Sequence, residues 1–226
     1  LIRRPFDHRN LLTILEERDT PFDERGTFDR ETLEAELKRP DLLDEYIQVF
    51  VAAFRDGRVL VPNLSWEDQL NHLFYVQMSE HENPFLQDYY TFEMNLRNLL
   101  AAQNVREAAQ LLAESDDERQ EVAHFVIGDN EIVERIKKSN APDFSVPQIL
   151  PWAQRLFELS RDNLEAFERN VDELRWQKLD ELTELSNFGI EAVLGVLCKL
   201  AIVERWQALD IDQGKQQLDG FVEGMK

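Results

Sequence analysis

The chain is 226 residues long, 43% hydrophobic and 10% aromatic, with a formal charge of −20 at neutral pH. That length admits one large domain or two small ones, and that apolar content supports a packed core, which excludes general disorder. The acidity excludes nucleic acid as a partner, because such binding needs Lys and Arg on phosphates, and it excludes a broad affinity for anionic lipid surfaces.

Helix signals recur along the chain and strand signals do not. Phe6 to Glu17 reads as a first helix with Asp7 as its N-cap. A turn-rich loop, Thr20 to Gly26, leads to Asp29, which is placed to cap a short helix through Lys38. The chain restarts at Pro40-Asp41. Leu42, Leu43, Tyr46, Ile47, Phe50, Val51 and Phe54 then form a wide apolar stripe, with Gly57 where a helix-ending glycine belongs. Arg58 to Leu64 has some strand character but contains Pro62 and reads as an extended connector. Ser65 is placed to cap a helix running to about Ser79. His81-Glu-Asn-Pro84 breaks the chain before a strong helix from Phe85 to Gln103, continued by small residues from Val105 to Ala113. Glu114 to Asp117 marks a break, and a short helix is expected from Asp117 to about Phe125. Gly128-Asp-Asn130 reads as a turn into a helix from Glu131 to Lys138.

Residues 140–151 hold three prolines and make the best linker, so the expected organisation is 1–139, a linker at 140–151, and 152–226. From Trp152 to Lys226 there is no proline, and the run reads as helix nearly throughout. Its first part, 152–187, is amphipathic, with Leu164, Phe167, Val171, Leu174, Leu182 and Leu185 at helical spacing. Its second part, 188–209, contains Ile190 to Val203 with only Glu191 and Lys199 charged, and a helix so uniformly apolar is expected to be buried. The expected fold is therefore all-α, a bundle of roughly eight to ten helices.

Motifs for catalysis are absent. There is no His-Glu-x-x-His, no Gly-rich phosphate loop and no nucleophile elbow. Glu121-Val-Ala-His124 has the Glu-x-x-His spacing of di-iron bundles but lacks a second copy, so an ordinary surface pair is the plainer reading and a metal-dependent enzyme the minor alternative. Asp68 and His72 are four apart, a common helical pairing. Gly128 to Glu131 lacks the alternating ligands of a calcium loop. The lone cysteine, Cys198, sits in the apolar run and reads as a buried small hydrophobe. No internal disulfide can form, which fits a reducing cytosol. The longest apolar stretch is too short to span a bilayer. No cofactor and no metal are expected. The chain begins at Leu1 rather than Met, which leaves room for an upstream segment. Two polar groupings stand out. Glu93, Asn95, Arg97 and Asn98 lie on an otherwise apolar helix, with Glu93 and Arg97 spaced for an intrahelical ion pair. Arg169, Asp172, Glu173, Arg175 and Trp176 read as a solvated face with the tryptophan turned inward.

Two segments resemble the C/d subunit family of V-type and archaeal-type rotary ATPases: Glu93-Met-Asn-Leu-Arg-Asn-Leu-Leu100 and Gly189-Ile-Glu-Ala-Val-Leu-Gly-Val-Leu-Cys-Lys199. The whole chain looks most like a bacterial branch of uncharacterised proteins associated with such ATPases. The resemblance implies a funnel of helices without an active site, which joins the central shaft to the membrane ring during ion transport. It marks Glu93, Asn95, Arg97, Asn98, Glu191 and Lys199 as family positions. The implied partners are the shaft and ring subunits, with no direct membrane insertion and a cytoplasmic location held at the membrane by the complex. A helical adaptor with another partner is the alternative reading.

Overall fold

The computed structural model describes residues 3–40, 42–112, 122–186 and 189–208. Among them the chain forms nine α-helices and no strand, as the helical periodicity predicts. Expectations at Asp41, at the break 114–117, over most of the helix 117–125, and beyond Ala208 lie outside the described residues.

Helix α1 is Arg4–Leu15, starting two residues earlier than expected. Pro5 explains the shift: its fixed φ suits a first helical turn, where its missing N–H costs nothing. Asp7 is thus inside the helix rather than its cap, and is buried. Its carboxylate instead accepts the Thr27 N–H at 2.6 Å, across the loop to the next helix. Helix α2, Arg30–Lys38, is capped as predicted, the Asp29 carboxylate accepting the Thr32 N–H at 2.7 Å. Helix α3 is Glu45–Arg55. It ends in a Schellman motif: Gly57 has φ 62°, its N–H reaches the Phe54 carbonyl, and the Arg58 N–H reaches that of Ala53. Helix α4, Trp66–Ser79, starts on Ser65, whose hydroxyl accepts the Asp68 N–H at 3.1 Å.

Helix α5 is one continuous rod, Pro84–Leu112, where two consecutive pieces were expected. At about 1.5 Å per residue its 29 residues run about 43 Å. Ala101, Ala102 and Gln103, all good helix formers, carry it through the expected joint. Helix α6 is Glu131–Lys138 and helix α7 is Pro151–Phe157. Helix α8, Leu164–Thr183, and helix α9, Ile190–Ala208, complete the described chain.

The predicted stripe on α3 is the heart of the core. Leu43, Tyr46, Ile47, Phe50 and Val51 are buried with Leu11 and Leu12 of α1, Leu33 and Leu37 of α2, and Leu70 and Phe74 of α4. Leu42 alone of that stripe is exposed. Phe74 meets His8, Tyr46, Tyr75 and Tyr90 in tilted or edge-on pairs with centroids 5.1–5.9 Å apart. Helix α4 packs on α3 and α5, and α6 packs on α5.

The chain forms two compact units, one over Arg3–Asn163 and one from Leu164 onward. The proline-rich stretch 140–151 lies within the first unit and is packed. Phe144 and Val146 are fully buried. Arg106 of α5 lies over the Phe144 ring at 3.7 Å and donates to the carbonyls of Ser139 and Ala141. The proline-free run, in turn, is not one helix. It breaks between α7 and α8, where the Ser160 hydroxyl accepts the Asp162 N–H at 3.2 Å and competes with helical pairing. Arg161 at this break reaches Gln103, Asn104 and Glu107 on α5.

Candidate functional site

Three of the polar residues singled out on α5 converge on one loop. Asn98 is fully buried and pairs with the Ile127 backbone in both directions: its amide donates to the carbonyl at 2.7 Å, and its oxygen accepts the N–H at 2.9 Å. Asn95 accepts from the Asn130 amide at 3.0 Å, while the Asn130 oxygen accepts the Val133 N–H and caps α6. Arg97 donates to the Phe125 carbonyl at 3.1 Å and pairs with Asp68 of α4. His72 does not pair with Asp68 as its spacing suggests. Its Nδ1 accepts the Gly128 N–H at 3.0 Å, and burial holds the ring below the usual imidazole range. Glu93 is half-buried on the same helix. These side chains satisfy the backbone of residues 125–130, an irregular stretch that no helix ladder serves. Their chemistry is therefore committed to holding the loop.

Glu191 and Lys199 belong to the second unit. The Glu191 carboxylate folds beside Gly189. Lys199 pairs with Asp180 and lies over the Trp176 ring at 5.1 Å. No group of three or more His, Cys, Asp or Glu among the described residues is placed to hold a metal. Glu121 lies outside those residues, and His124 is exposed. A shallow depression beside α6 is lined by Glu131, Glu134, Arg135 and Lys138, which pair with one another one turn apart.

The second unit is built around a buried acid. Asp172 on α8 is only 5% exposed and accepts from Arg175 at 2.8 Å, from the Trp206 indole at 2.7 Å, and from Arg205. The expected arrangement is therefore reversed for two members: the Asp172 carboxylate is turned inward, and Trp176 is exposed. Three donors make up for the lost hydration of the carboxylate. Arg205 also pairs with Glu168, so the C-terminal half of α9 is fastened to α8 by charge. At the other end the helices approach closely at Gly195, where a Cβ would lie 2.5 Å from the Thr183 methyl. Nothing in the sequence near Asp172 announces these partners, which lie more than thirty residues away.

Helix α9 is where the structure departs most from expectation. One face, through Gly195, Cys198, Lys199, Arg205 and Trp206, meets α8, and Cys198 is buried as predicted. The other face is open. Ile190, Val193, Val196, Leu197, Leu200 and Val203 are all exposed, Val196 by 64% and Ile190 by 57%. At 100° per residue these six occupy one arc of about 140°. Nine of the thirteen exposed large hydrophobic side chains among the described residues lie in the second unit, and six of those are on this arc. The side toward α8 carries Lys199 and Arg205 in ion pairs, whereas the aliphatic side has no neighbour among the described residues. An aliphatic arc holds no acid, base or nucleophile. It can only exclude water against another apolar surface.

A family model described as "Protein of unknown function (DUF2764)" matches residues 1–226. No curated protein matches the chain, and no solved structure does. This corrects the resemblance to the C/d subunits of rotary ATPases: the match over the whole length is to a different family. The two segments that carried the resemblance are amphipathic or apolar helix, a pattern that helix packing itself produces. No helix among the described residues is long and apolar enough to cross a membrane.

Proposed function

We propose that this chain, which belongs to the DUF2764 family, is a non-catalytic helical docking protein that works by protein–protein contact through the open face of α9. The open aliphatic arc is the observation that carries this reading. Contiguous exposed apolar surface on a folded protein marks a place where another surface sits. The hairpin beneath the arc is stiffened by the Asp172 cluster and the Lys199–Asp180 pair, so the face is presented on a rigid support. Rigid presentation lowers the ordering entropy lost on binding.

A coupling subunit of a rotary ATPase would be one protein of this kind. That narrower role came from the resemblance alone, and the arc does not select it over other partners. Co-purification with shaft and ring subunits is the measurement that would.

The docking reading is tested in native extract. The chain is expected to migrate above the mass of a single copy. Replacing Val193 and Leu200 together by lysine should return it to single-copy mass without changing its helix content, since both side chains are exposed. Wild-type chain migrating as a single copy would defeat the reading.

A further inference from the structure

We infer that His72 is a pH-sensitive latch on residues 128–129: the neutral ring holds the Gly128 N–H, and the charged ring releases it and turns to the Asp129 carboxylate. This device lies in the first unit and does not depend on the α9 face. The geometry of one hydrogen bond carries it. His72 Nδ1 accepts the Gly128 N–H at 3.0 Å, from 56 residues away in the chain. An imidazole nitrogen accepts only while it carries no proton. Protonation makes Nδ1 a donor that faces another donor, and the bond is lost.

The other ties on this loop do not titrate near neutrality. Asn98 holds both sides of the Ile127 backbone, Asn95 holds Asn130, and Arg97 holds the Phe125 carbonyl. Residues 128–129 lie between two of these anchors. Gly128 has φ 86°, and glycine can leave that left-handed conformation at little cost. The charges around the ring supply the second state. Burial holds the ring below the usual imidazole range, Asp129 opposes that, and Lys137 of α6 adds to it. Asp68, one turn earlier on α4, is taken by Arg97 of α5, and Glu93 lies one turn before that arginine. Helices α1 and α3 also pack on α4, but among the described residues they add no charge to those acting on the ring. Asp129 is exposed and next to Gly128, so it is the carboxylate placed to receive an imidazolium. The ring titrates below pH 6.5, so the latch is shut at neutral pH and opens on acidification.

The test is NMR on the purified full-length chain, from neutral pH downward through the His72 titration. At neutral pH the ring nitrogen shifts should place the proton on Nε2. As the ring charges, hydrogen-exchange protection of the Gly128 amide should fall about fivefold or more, as expected for one lost hydrogen bond. Protection of the Ile127 amide should hold, because Asn98 does not titrate. His72→Asn keeps an acceptor near the Nδ1 position and removes the titration, so its Gly128 protection should not follow pH. Asp129→Asn should move the His72 midpoint further down. A neutral ring with its proton on Nδ1, Gly128 protection that survives charging of the ring, an equal loss at Ile127, or a ring that stays neutral until the chain unfolds would each overturn the latch. So would Gly128 protection that still follows pH in His72→Asn. A midpoint unmoved by Asp129→Asn would overturn the turn toward Asp129.

Discussion

His8 shows how a single residue sets a condition on the fold. Its ring is buried among Tyr46 and Phe74, with Nε2 2.6 Å from the Tyr46 hydroxyl. Burial, with Arg4 adding to it and a hydrogen bond to Asn71 opposing it, lowers its pKa from 6.5 to about 4. The same burial pushes the Tyr46 phenol up. Below pH 6.5 the unfolded chain protonates His8 and the folded chain does not, so folding loses stability as pH falls from 6.5 to about 4. The loss reaches roughly 3 kcal/mol at the acid end and is absent above pH 6.5. Urea midpoints measured across that range should fall with pH, and His8→Gln should flatten the slope. A wild-type slope no steeper than the variant's would remove His8 as the cause. Asn98 is the second case. Asn98→Ala leaves the buried N–H and carbonyl of Ile127 without partners and should cost about 2–3 kcal/mol in urea unfolding. A cost under half of that would mean water replaces the amide. The amide's importance is half legible in sequence, since a polar residue on an apolar helix must be satisfied somewhere. Its partner, 29 residues away on an irregular loop, is not.

Among the elements, most short-range signals held, although Asp7, expected as a cap, lies inside α1. Asp29, Ser65 and Asn130 cap helices as their side chains allow, and Gly57 ends one in the left-handed conformation. These depend on three or four consecutive residues, which a sequence displays directly. The misreadings came where distant residues decide. The 140–151 segment looks like a linker by composition, but Arg106 pins it to α5 through its carbonyls and the Phe144 ring. On α9 the apolar run does not say which residues find a neighbour. Cys198 does find one, so Cys198→Asp should bury an unpaired charge against α8 and lower the melting temperature sharply, by roughly 3 kcal/mol of stability or more. Aspartate on the open arc should be far better tolerated: Val196→Asp should cost little in the isolated monomer. Equal melting temperatures for Cys198→Asp and Val196→Asp would show that the two faces of α9 are alike.

At the scale of the whole molecule, the two units differ in what sustains them. The first, Arg3–Asn163, has a core drawn from several helices and a second cluster of Leu64, Met94 and Ile127. It is large enough to fold alone, so a fragment covering 1–163 should unfold in a single cooperative transition. A fragment that melts without a transition would mean that this core needs the second unit. The described part of the second unit is a helical hairpin with one internal interface, which leaves the aliphatic side of α9 uncovered among the described residues. That shortfall is the physical ground for a covering partner. The sequence by itself determined that the chain is helical, where most of its helices begin and end, and that α9 is largely apolar. It did so because hydrogen-bonding caps and the 3.6-residue period are local properties. Only the tertiary structure decided which polar residues are buried, that Asp172 rather than Trp176 faces inward, and which face of α9 is left open. Those outcomes depend on neighbours brought together across tens of residues, and an apolar side chain carries no mark of which neighbour will cover it.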